Sequence, residues 1–95
     1  MSELIDGAVA ALSDKISGGF DGSAKFVIEG EGAIMIDSTG VRAGDEPAEV
    51  TLIADKDTFR SILDGEMNPT SAYMSGKLTV EGDLAAAMRL GTALA

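Results

Sequence analysis

Glycine occurs twelve times in this 95-residue chain, and most boundaries between the short predicted helices and strands fall at a glycine. Glycine favours turns because it adopts left-handed backbone conformations at little steric cost. With such short segments, the chain can bury its apolar residues only by packing several elements around one core, so we expect residues 1–95 to form one domain. The main breaks are Gly18-Gly19, Gly30-Glu31-Gly32, Gly65, Gly76 and Gly82.

The first and last segments have apolar residues three or four positions apart, which is the spacing of amphipathic helices. The first segment follows Ser2, a suitable N-cap, and ends at Gly18-Gly19. The last segment follows Asp83, another N-cap residue, and presents one apolar side. The residues on that side are Leu84, Ala87, Met88, Gly91 and Leu94.

Two shorter helices are predicted between these segments. Asp55 is the natural N-cap of one, which stops at Gly65. Asn68 caps the other, and Pro69 suits its first position because proline lacks only an amide hydrogen that the first helical turn leaves unpaired. We expect this helix to extend through Tyr73.

Short apolar runs and alternating segments predict the strands. Residues 25–29 and 33–37 form a predicted hairpin across Gly30-Glu31-Gly32. Residues 49–54 and 77–81 are two further predicted strands, the second with one buried face. Strands grouped in this way with helices on one face favour an α+β domain with a mainly antiparallel sheet.

The charge and residue types exclude several classes of function. Sixteen acidic and seven basic residues give a net charge of -9, which repels nucleic acid and anionic membrane surfaces. The chain contains no cysteine or histidine, so a thiolate nucleophile, a histidine base and the commonest metal ligand are missing. Much ordinary enzyme chemistry is therefore excluded, and we predict no metal or other cofactor.

The two ends and the apolar runs suggest a location. Acidic residues near the start do not resemble a secretory signal, and Ala93-Leu94-Ala95 is not a peroxisomal address. No apolar run reaches the length of a membrane span, so no stable membrane insertion is expected. We therefore expect a cytoplasmic protein.

Three local patterns resemble functional motifs, and each has a simpler structural interpretation. Asp55 and Asp57 suit a helix start better than a calcium loop. Gly30-Glu31-Gly32 is a turn between strands rather than a dinucleotide fingerprint, which requires a strand followed by a helix. The serines around Tyr73 lie near Lys77, but hydrogen bonding at a helix end explains them better than catalysis.

The four internal methionines allow two interpretations. Aromatic residues make up only 4% of the chain, so its interior is predicted to be aliphatic and rich in methionine. Methionine fills irregular gaps in cores, and it also lines adaptable ligand cavities. The residues alone leave both interpretations open for Met35, Met67, Met74 and Met88.

The segments around three of these methionines resemble the sterol carrier protein 2 (SCP2) sterol-binding domain family. The family pattern places acid-rich turn residues before a phenylalanine, then Gly-x-x-Asn-Pro, Met-Ser-Gly-Lys-Leu and Gly-Asp before a methionine-bearing helix. This chain has the corresponding residues at 54–59, 65–69 and 74–83. The order of predicted elements agrees over essentially the whole chain, and we expect a stand-alone member of the prokaryotic type.

The resemblance implies an SCP2-like α+β fold with a curved, mainly antiparallel sheet of about five strands, covered on one face by helices, and an apolar tunnel between the layers. The fifth strand is expected within residues 38–47 or from a split of the hairpin. Residues 33–36 lack the large aromatic residue common in the second strand of the family, which leaves the ligand class open. The resemblance implies non-catalytic binding and transfer of a lipid, namely a fatty acid, a fatty acyl-CoA or a sterol-like molecule. Positive charge for acyl-CoA would come from Arg60, Lys77 or Arg89.

The resemblance places the ligand between the sheet and the helices, and we predict its lining from the apolar side chains there. The sheet would contribute Phe26, Ile28, Ile34, Ile36 and Leu52. The helices would contribute Phe59, Leu63, Met67, Tyr73, Met74, Leu84 and Met88. The last helix, interrupted by Gly91, is the expected gate. In the alternative, the same groove binds a partner enzyme that handles lipids or closes a homodimer, without any lipid.

Overall fold

A computed structural model describes residues 3–16 and 20–94 of the chain. Its helices are α1 (Glu3–Lys15), α2 (Lys56–Leu63), α3 (Pro69–Met74) and α4 (Leu84–Leu94). Its strands are β1 (Ser23–Ile28), β2 (Gly32–Asp37), β3 (Gly40–Ala43), β4 (Val50–Ala54) and β5 (Thr79–Gly82). The predicted α+β class is confirmed, and β3 is the fifth strand expected within residues 38–47. The predicted cap Ser2 and stop Gly18-Gly19 lie outside the described residues.

The five strands form one open sheet in the order β3-β2-β1-β4-β5. Neighbouring strands are antiparallel except for the central pair, β1 and β4, which is parallel. The mainly antiparallel sheet is therefore confirmed. The strands β1, β2 and β3 are consecutive antiparallel neighbours. The chain then returns so that β4 pairs with β1 on the side away from β2, which makes this pair parallel. In this register Phe26 lies between Ile34 and Leu52, so these three buried side chains share one face.

The helices cover that face and enclose an aliphatic core. Helix α1 packs on β2 and β3, and α4 packs on β1, β4 and β5. Leu12 of α1 and Leu90 of α4 are fully buried in the core. Three phenylalanines, Phe20, Phe26 and Phe59, are buried in the core, and the rings of Phe26 and Phe59 meet edge to face with centroids 4.6 Å apart. This geometry favours aromatic pairs, and it joins α2 to the centre of the sheet.

The connection from β3 to β4 covers part of the opposite face. The amide of Glu46 donates to the sulfur of Met35 at 3.5 Å, and Lys25 pairs with Asp45 at 2.8 Å. Met35 alternates with the core residues of β2 but is only 2% exposed, because this connection lies over it. Met35 is thus a packing residue on the helix-free face.

Strand β5 starts at Thr79, two residues later than predicted. The amides of Lys77 and Leu78 both donate to the carbonyl of Ala72, at 2.9 and 3.1 Å, so these residues belong to the turn after α3. Gly76 permits this turn with a φ of +82°.

Candidate functional site: an apolar cavity between α3, α4 and the sheet edge

A cavity of about 240 Å³ opens between α3, α4 and the edge of the sheet formed by β4 and β5. Its lining comes from all four of these elements and from the turn before β5. The lining residues are Leu52, Pro69, Thr70, Tyr73, Met74, Leu78, Val80, Leu84, Ala87, Met88 and Gly91.

Helix α3 forms one side of the cavity and is fixed at both ends. At its start, the side chain of Asn68 accepts a hydrogen bond from the amide of Thr70 at 2.8 Å, and Pro69 occupies the first turn, both as predicted. At its end, the Ala72 carbonyl holds the following turn, which buries Leu78 against the cavity. Local sequence signals therefore determine where α3 begins and where the chain leaves it.

The sheet forms the floor of the cavity. Leu52 of β4 and Val80 of β5 are register partners, so their side chains lie side by side on the helix-covered face. Leu78, in the turn before β5, also lines the cavity and is buried.

Helix α4 forms the other side, and its small residues provide the space. Asp83 caps the helix by accepting a hydrogen bond from the amide of Ala85 at 2.9 Å, as predicted. A β-carbon added to Gly91 would lie 3.6 Å from the β-carbon of Pro69, so α3 and α4 approach closely there. Ala87 lies one turn before Gly91 and also lines the cavity.

The single apolar side predicted for α4 is divided in the structure. The buried side chains are Ala86, Leu90 and Leu94 with Ala87, whereas Leu84 and Met88 are 47% and 62% exposed. Leu84 and Met88 thus belong to the predicted apolar side of α4 without being buried in the core. They border an open cavity because α3 does not cover this part of α4.

We call Tyr73, Met74, Leu84 and Met88 the cavity mouth. These are the large apolar side chains that the described residues leave exposed, at 44%, 80%, 47% and 62%. All four line the cavity. Large apolar groups are rarely clustered at a soluble surface without a binding role, so this clustering marks the cavity as a site.

The lining is chemically apolar. Its polar side chains are the hydroxyls of Thr70 and Tyr73, and no charged residue of the described chain lines it. Such a surface binds molecules by removing apolar area from water and offers little to recognise a charged group.

The twelve predicted lining residues separate into three groups. Leu52, Tyr73, Met74, Leu84 and Met88 line the cavity. Phe26, Ile28, Ile34, Ile36 and Phe59 are at most 1% exposed and pack in the core, and they do not line the cavity. Leu63 and Met67 are half-buried at the edge of the core. Whether a ligand contacts the last two groups stays a prediction.

The lining residues that the sequence did not predict still carry recognisable signals. Leu78 and Val80 alternate with polar residues in the predicted strand, so period-two spacing places them on the inner face. Ala87 and Gly91 follow Leu84 at helical spacing, and their small size makes room for a ligand. The sequence indicates that Pro69 and Thr70 begin a helix, but it does not indicate that they line a cavity.

A second depression, between α1 and α2, is more polar. It includes Glu3, Arg60 and Asp64 together with Leu63. It is therefore less suited to an apolar ligand than the cavity.

The ionisable groups with shifted pKa values lie outside the cavity lining. Hydrogen bonds from the side chains of Thr39 and Arg42 lower the pKa of Asp37 from 3.8 to about 2. Hydrogen bonds to the carboxylates of Asp37 and Glu46 raise the pKa of Arg42, and hydrogen bonding by Thr58 lowers the pKa of Asp55. These shifts reflect a turn and a helix cap, so they do not indicate an acid or base at the cavity.

Two other kinds of site are absent from residues 3–16 and 20–94, the part of the chain that the structure describes. In this part of the chain, no group of three acidic, histidine or cysteine side chains is arranged to hold a metal ion. No helix there is long and apolar enough to cross a membrane. Arg89 donates to the carbonyl of Asp21 at 3.5 Å, and it does not line the cavity.

Comparison with known sequences identifies a family. The family model described as the SCP-2 sterol transfer family matches residues 6–95. Hydroxysteroid dehydrogenase-like protein 2 from Danio rerio is 31% identical over 98 residues, which cover 95% of this chain and 24% of that protein. Sterol carrier protein 2 from Homo sapiens is 33% identical over 64 residues, which cover 67% of this chain and 11% of that protein. This chain thus spans a quarter or less of the length of these relatives.

Comparison with solved structures identifies the same fold. The solution structure of sterol carrier protein 2 from Aedes aegypti, in complex with palmitate, matches with a TM-score of 0.78. The match covers 100% of this chain and 97% of that chain at 21% sequence identity. The mixed, mostly antiparallel sheet with helices is therefore shared with a sterol carrier protein.

Proposed function

This chain belongs to the SCP-2 sterol transfer family, and on that premise we propose that it binds and transfers a lipid in the cavity between α3, α4 and the sheet edge. The lipid is a fatty acid, a fatty acyl-CoA or a sterol-like molecule. The protein acts without catalysis, and residues 1–95 form one lipid-binding domain. The continuous core cluster that joins all four helices to the sheet supports this assignment of one domain.

The observation that carries the proposal is an apolar cavity whose mouth is exposed. A closed core needs no exposed methionines, and a surface for polar partners needs charged or hydrogen-bonding groups. This cavity fits neither description, because its mouth is exposed and both its floor and its mouth are apolar. Apolar ligands gain binding free energy at such a surface, about 0.8 kcal/mol per buried methylene. A sixteen-carbon chain therefore has on the order of 12 kcal/mol available before the entropy costs of binding.

The size of the cavity indicates that ligand binding involves movement. At about 240 Å³, it is smaller than the roughly 300–1,000 Å³ of typical small-molecule sites. Enlarging it requires Met74 and Met88 to change rotamer or α4 to shift away from α3. Methionine side chains make the first change at low cost because they are unbranched and flexible. We propose that α4 is the gate and that Phe26, Ile34 and the other predicted core residues become accessible only as it opens.

A second candidate function uses the same surface. The mouth would bind an apolar segment of a partner enzyme that handles lipids, or of a second copy of this chain, without a lipid. The large exposed fraction of Met74 favours this candidate, as does the fact that the matched region is a small part of larger relatives. In this case the purified protein would be free of lipid.

The first experiment is to purify the protein and identify co-purifying lipids by native mass spectrometry and solvent extraction. A fluorescent fatty acid then measures the affinity of the emptied protein. A stoichiometric lipid or saturable uptake supports the carrier function and gives the ligand class. An empty protein that does not take up the probe would contradict it and favour the partner-binding function.

Gly91→Leu tests whether this cavity is the site. The leucine side chain would project between α3 and α4 and displace about two ligand methylenes, which corresponds to about 1.6 kcal/mol and a loss of more than tenfold in affinity. Gly7→Leu is the matched control, since Gly7 is also a helical glycine but lies in α1 with open space around it. Equal losses in both variants would place the lipid elsewhere.

A further inference from the structure

Two of the mouth residues are methionines with unusually open side chains. Met74 is 80% exposed and Met88 is 62% exposed, and both line the cavity. Thioether sulfurs react with peroxides at a rate that depends on their access to solvent. These two sulfurs therefore combine chemical accessibility with a position at the candidate binding surface.

The other methionines of the described chain are better protected. Met35 is 2% exposed and lies under the β3–β4 connection, where its sulfur accepts a hydrogen bond from Glu46. Met67 is half-buried and packs against the core. The methionines of the described chain therefore differ in how accessible they are to solvent, with Met74 and Met88 the most accessible.

We infer that Met74 and Met88 are oxidation sites through which peroxide lowers the affinity of the cavity for lipid. The inference rests on the proposed lipid-binding function. In the reaction a hydroperoxide transfers one oxygen atom to the sulfur, so that the O–O bond breaks and an S–O bond forms. The sulfur loses two electrons, and the peroxide is reduced to water or an alcohol. Methionine sulfoxide reductases reverse this modification, so the site is suited to reversible control.

The chemical consequence follows from the lining. A sulfoxide introduces a strongly polar S–O group at the mouth, where the nearby lining offers only the hydroxyls of Thr70 and Tyr73 as hydrogen-bond donors. Covering the S–O group with an acyl chain removes it from water without a partner, which is unfavourable. We expect roughly tenfold weaker lipid binding when both sulfurs are oxidised. The core should stay intact, because neither residue belongs to it.

The test uses limiting hydrogen peroxide, peptide mass spectrometry to locate each added oxygen, and fluorescent fatty acid titration before and after treatment. Met74 and Met88 should be oxidised before Met35 and Met67. Untreated protein should bind at least about tenfold more tightly than treated protein, with an unchanged circular dichroism spectrum. Methionine sulfoxide reductase should restore the affinity.

Two variants connect the loss to these sulfurs. In M74L/M88L, leucine retains an apolar side chain of similar volume without the sulfur. The ratio of affinities before and after peroxide should then be close to one, whatever the starting affinity. M67L is the matched control and should lose affinity on oxidation as the unmodified sequence does.

The outcomes separate this inference from the function on which it depends. If untreated protein binds no lipid, the proposed function and this inference both fail. If untreated protein binds and treated protein binds equally well, the function stands and the inference is overturned. The inference is also overturned if M74L/M88L remains as sensitive to peroxide as M67L.

Discussion

At the scale of single residues, Gly82 shows how closely the cavity floor is assembled. It ends β5 opposite Val50 with a φ of +98°, a conformation that other residues adopt only with strain. A β-carbon there would overlap the carbonyl oxygen of Glu49. The same carbonyl accepts a hydrogen bond from Asp83 at 2.9 Å, so this contact also sets the start of α4.

Gly82→Ala should therefore destabilise the protein by at least about 2 kcal/mol, because backbone strain and steric overlap add together. Gly30→Ala is the control: Gly30 also has a positive φ, of +80°, but has open space around its α-carbon. Its cost should be only about 1 kcal/mol. Urea unfolding monitored by circular dichroism measures both, and equal losses would contradict the close contact at Glu49.

Asp37 is a second residue whose properties depend on a few hydrogen bonds. Its carboxylate accepts hydrogen bonds from the Thr39 hydroxyl, the Thr39 amide and Arg42, at 2.5, 2.9 and 2.8 Å. These bonds join the end of β2 to β3. They also stabilise the charged form, which explains why the pKa of Asp37 falls to about 2.

A lowered pKa predicts the direction of the pH dependence. The contribution of Asp37 to stability is present above pH 3.8 and is lost as the pH falls toward about 2, where the folded protein binds the proton. In Asp37→Asn, the free energy of unfolding should decrease less as the pH falls from 3.8 toward about 2, and urea unfolding midpoints measured over this range test this.

Thr39→Val removes the hydrogen bond that lowers the pKa of Asp37 most, so the pKa should rise in an NMR titration. An unchanged pKa in Thr39→Val would contradict this assignment.

At the scale of elements, α3 depends strongly on its cap. It has only six residues, which is too short for helix propensity to maintain it alone. The Asn68 cap, Pro69 in the first turn and the hydrogen bonds to Ala72 hold it in place. Since α3 carries two of the four mouth residues, its stability affects the shape of the cavity.

Asn68→Ala should cost about 1 kcal/mol of stability through loss of the cap. It should also weaken fatty acid binding, because a frayed α3 no longer holds Tyr73 and Met74 in position. Ser71→Ala is the control on the same helix: Ser71 is exposed, and its change should stay within about 0.5 kcal/mol. Thermal unfolding and probe titration give both quantities, and equal effects of the two variants would show that the cap is not important.

At the scale of the whole molecule, the strong negative charge and the apolar mouth have opposite effects on an encounter with a membrane. The net charge of -9 repels anionic lipid surfaces over about 10 Å at 0.1 M salt. The exposed mouth gains free energy wherever apolar groups are available. If the protein transfers lipid as proposed, neutral membranes should therefore be its better lipid donors.

We expect pick-up of a fluorescent fatty acid to be slower from vesicles containing phosphatidylglycerol than from pure phosphatidylcholine vesicles at low salt. The difference should shrink as salt screens the charge. Stopped-flow measurements over a series of salt concentrations test this directly. Equal rates from both vesicle types at low salt would show that net charge does not control the encounter.

Much of the fold follows from local signals in the sequence. Asp55, Asn68 and Asp83 are predicted as helix caps, and each accepts the expected hydrogen bond from the first turn of its helix. These signals are readable because a cap and its partner are only two or three residues apart. The motif between Met74 and Asp83 is also specific enough to indicate the family from the sequence, and the family match confirms it.

The tertiary structure decided which apolar residues form the core and which line the cavity. Phe26 and Tyr73 are both aromatic residues in predicted elements, yet one is 1% exposed and the other 44% exposed. Sequence periodicity shows only which side of an element is apolar. It does not show whether another element covers that side, and coverage depends on where α3 and α4 come to lie on the sheet. The parallel pairing of β1 and β4 likewise depended on contacts between distant segments, because only the packed chain brings those two strands together.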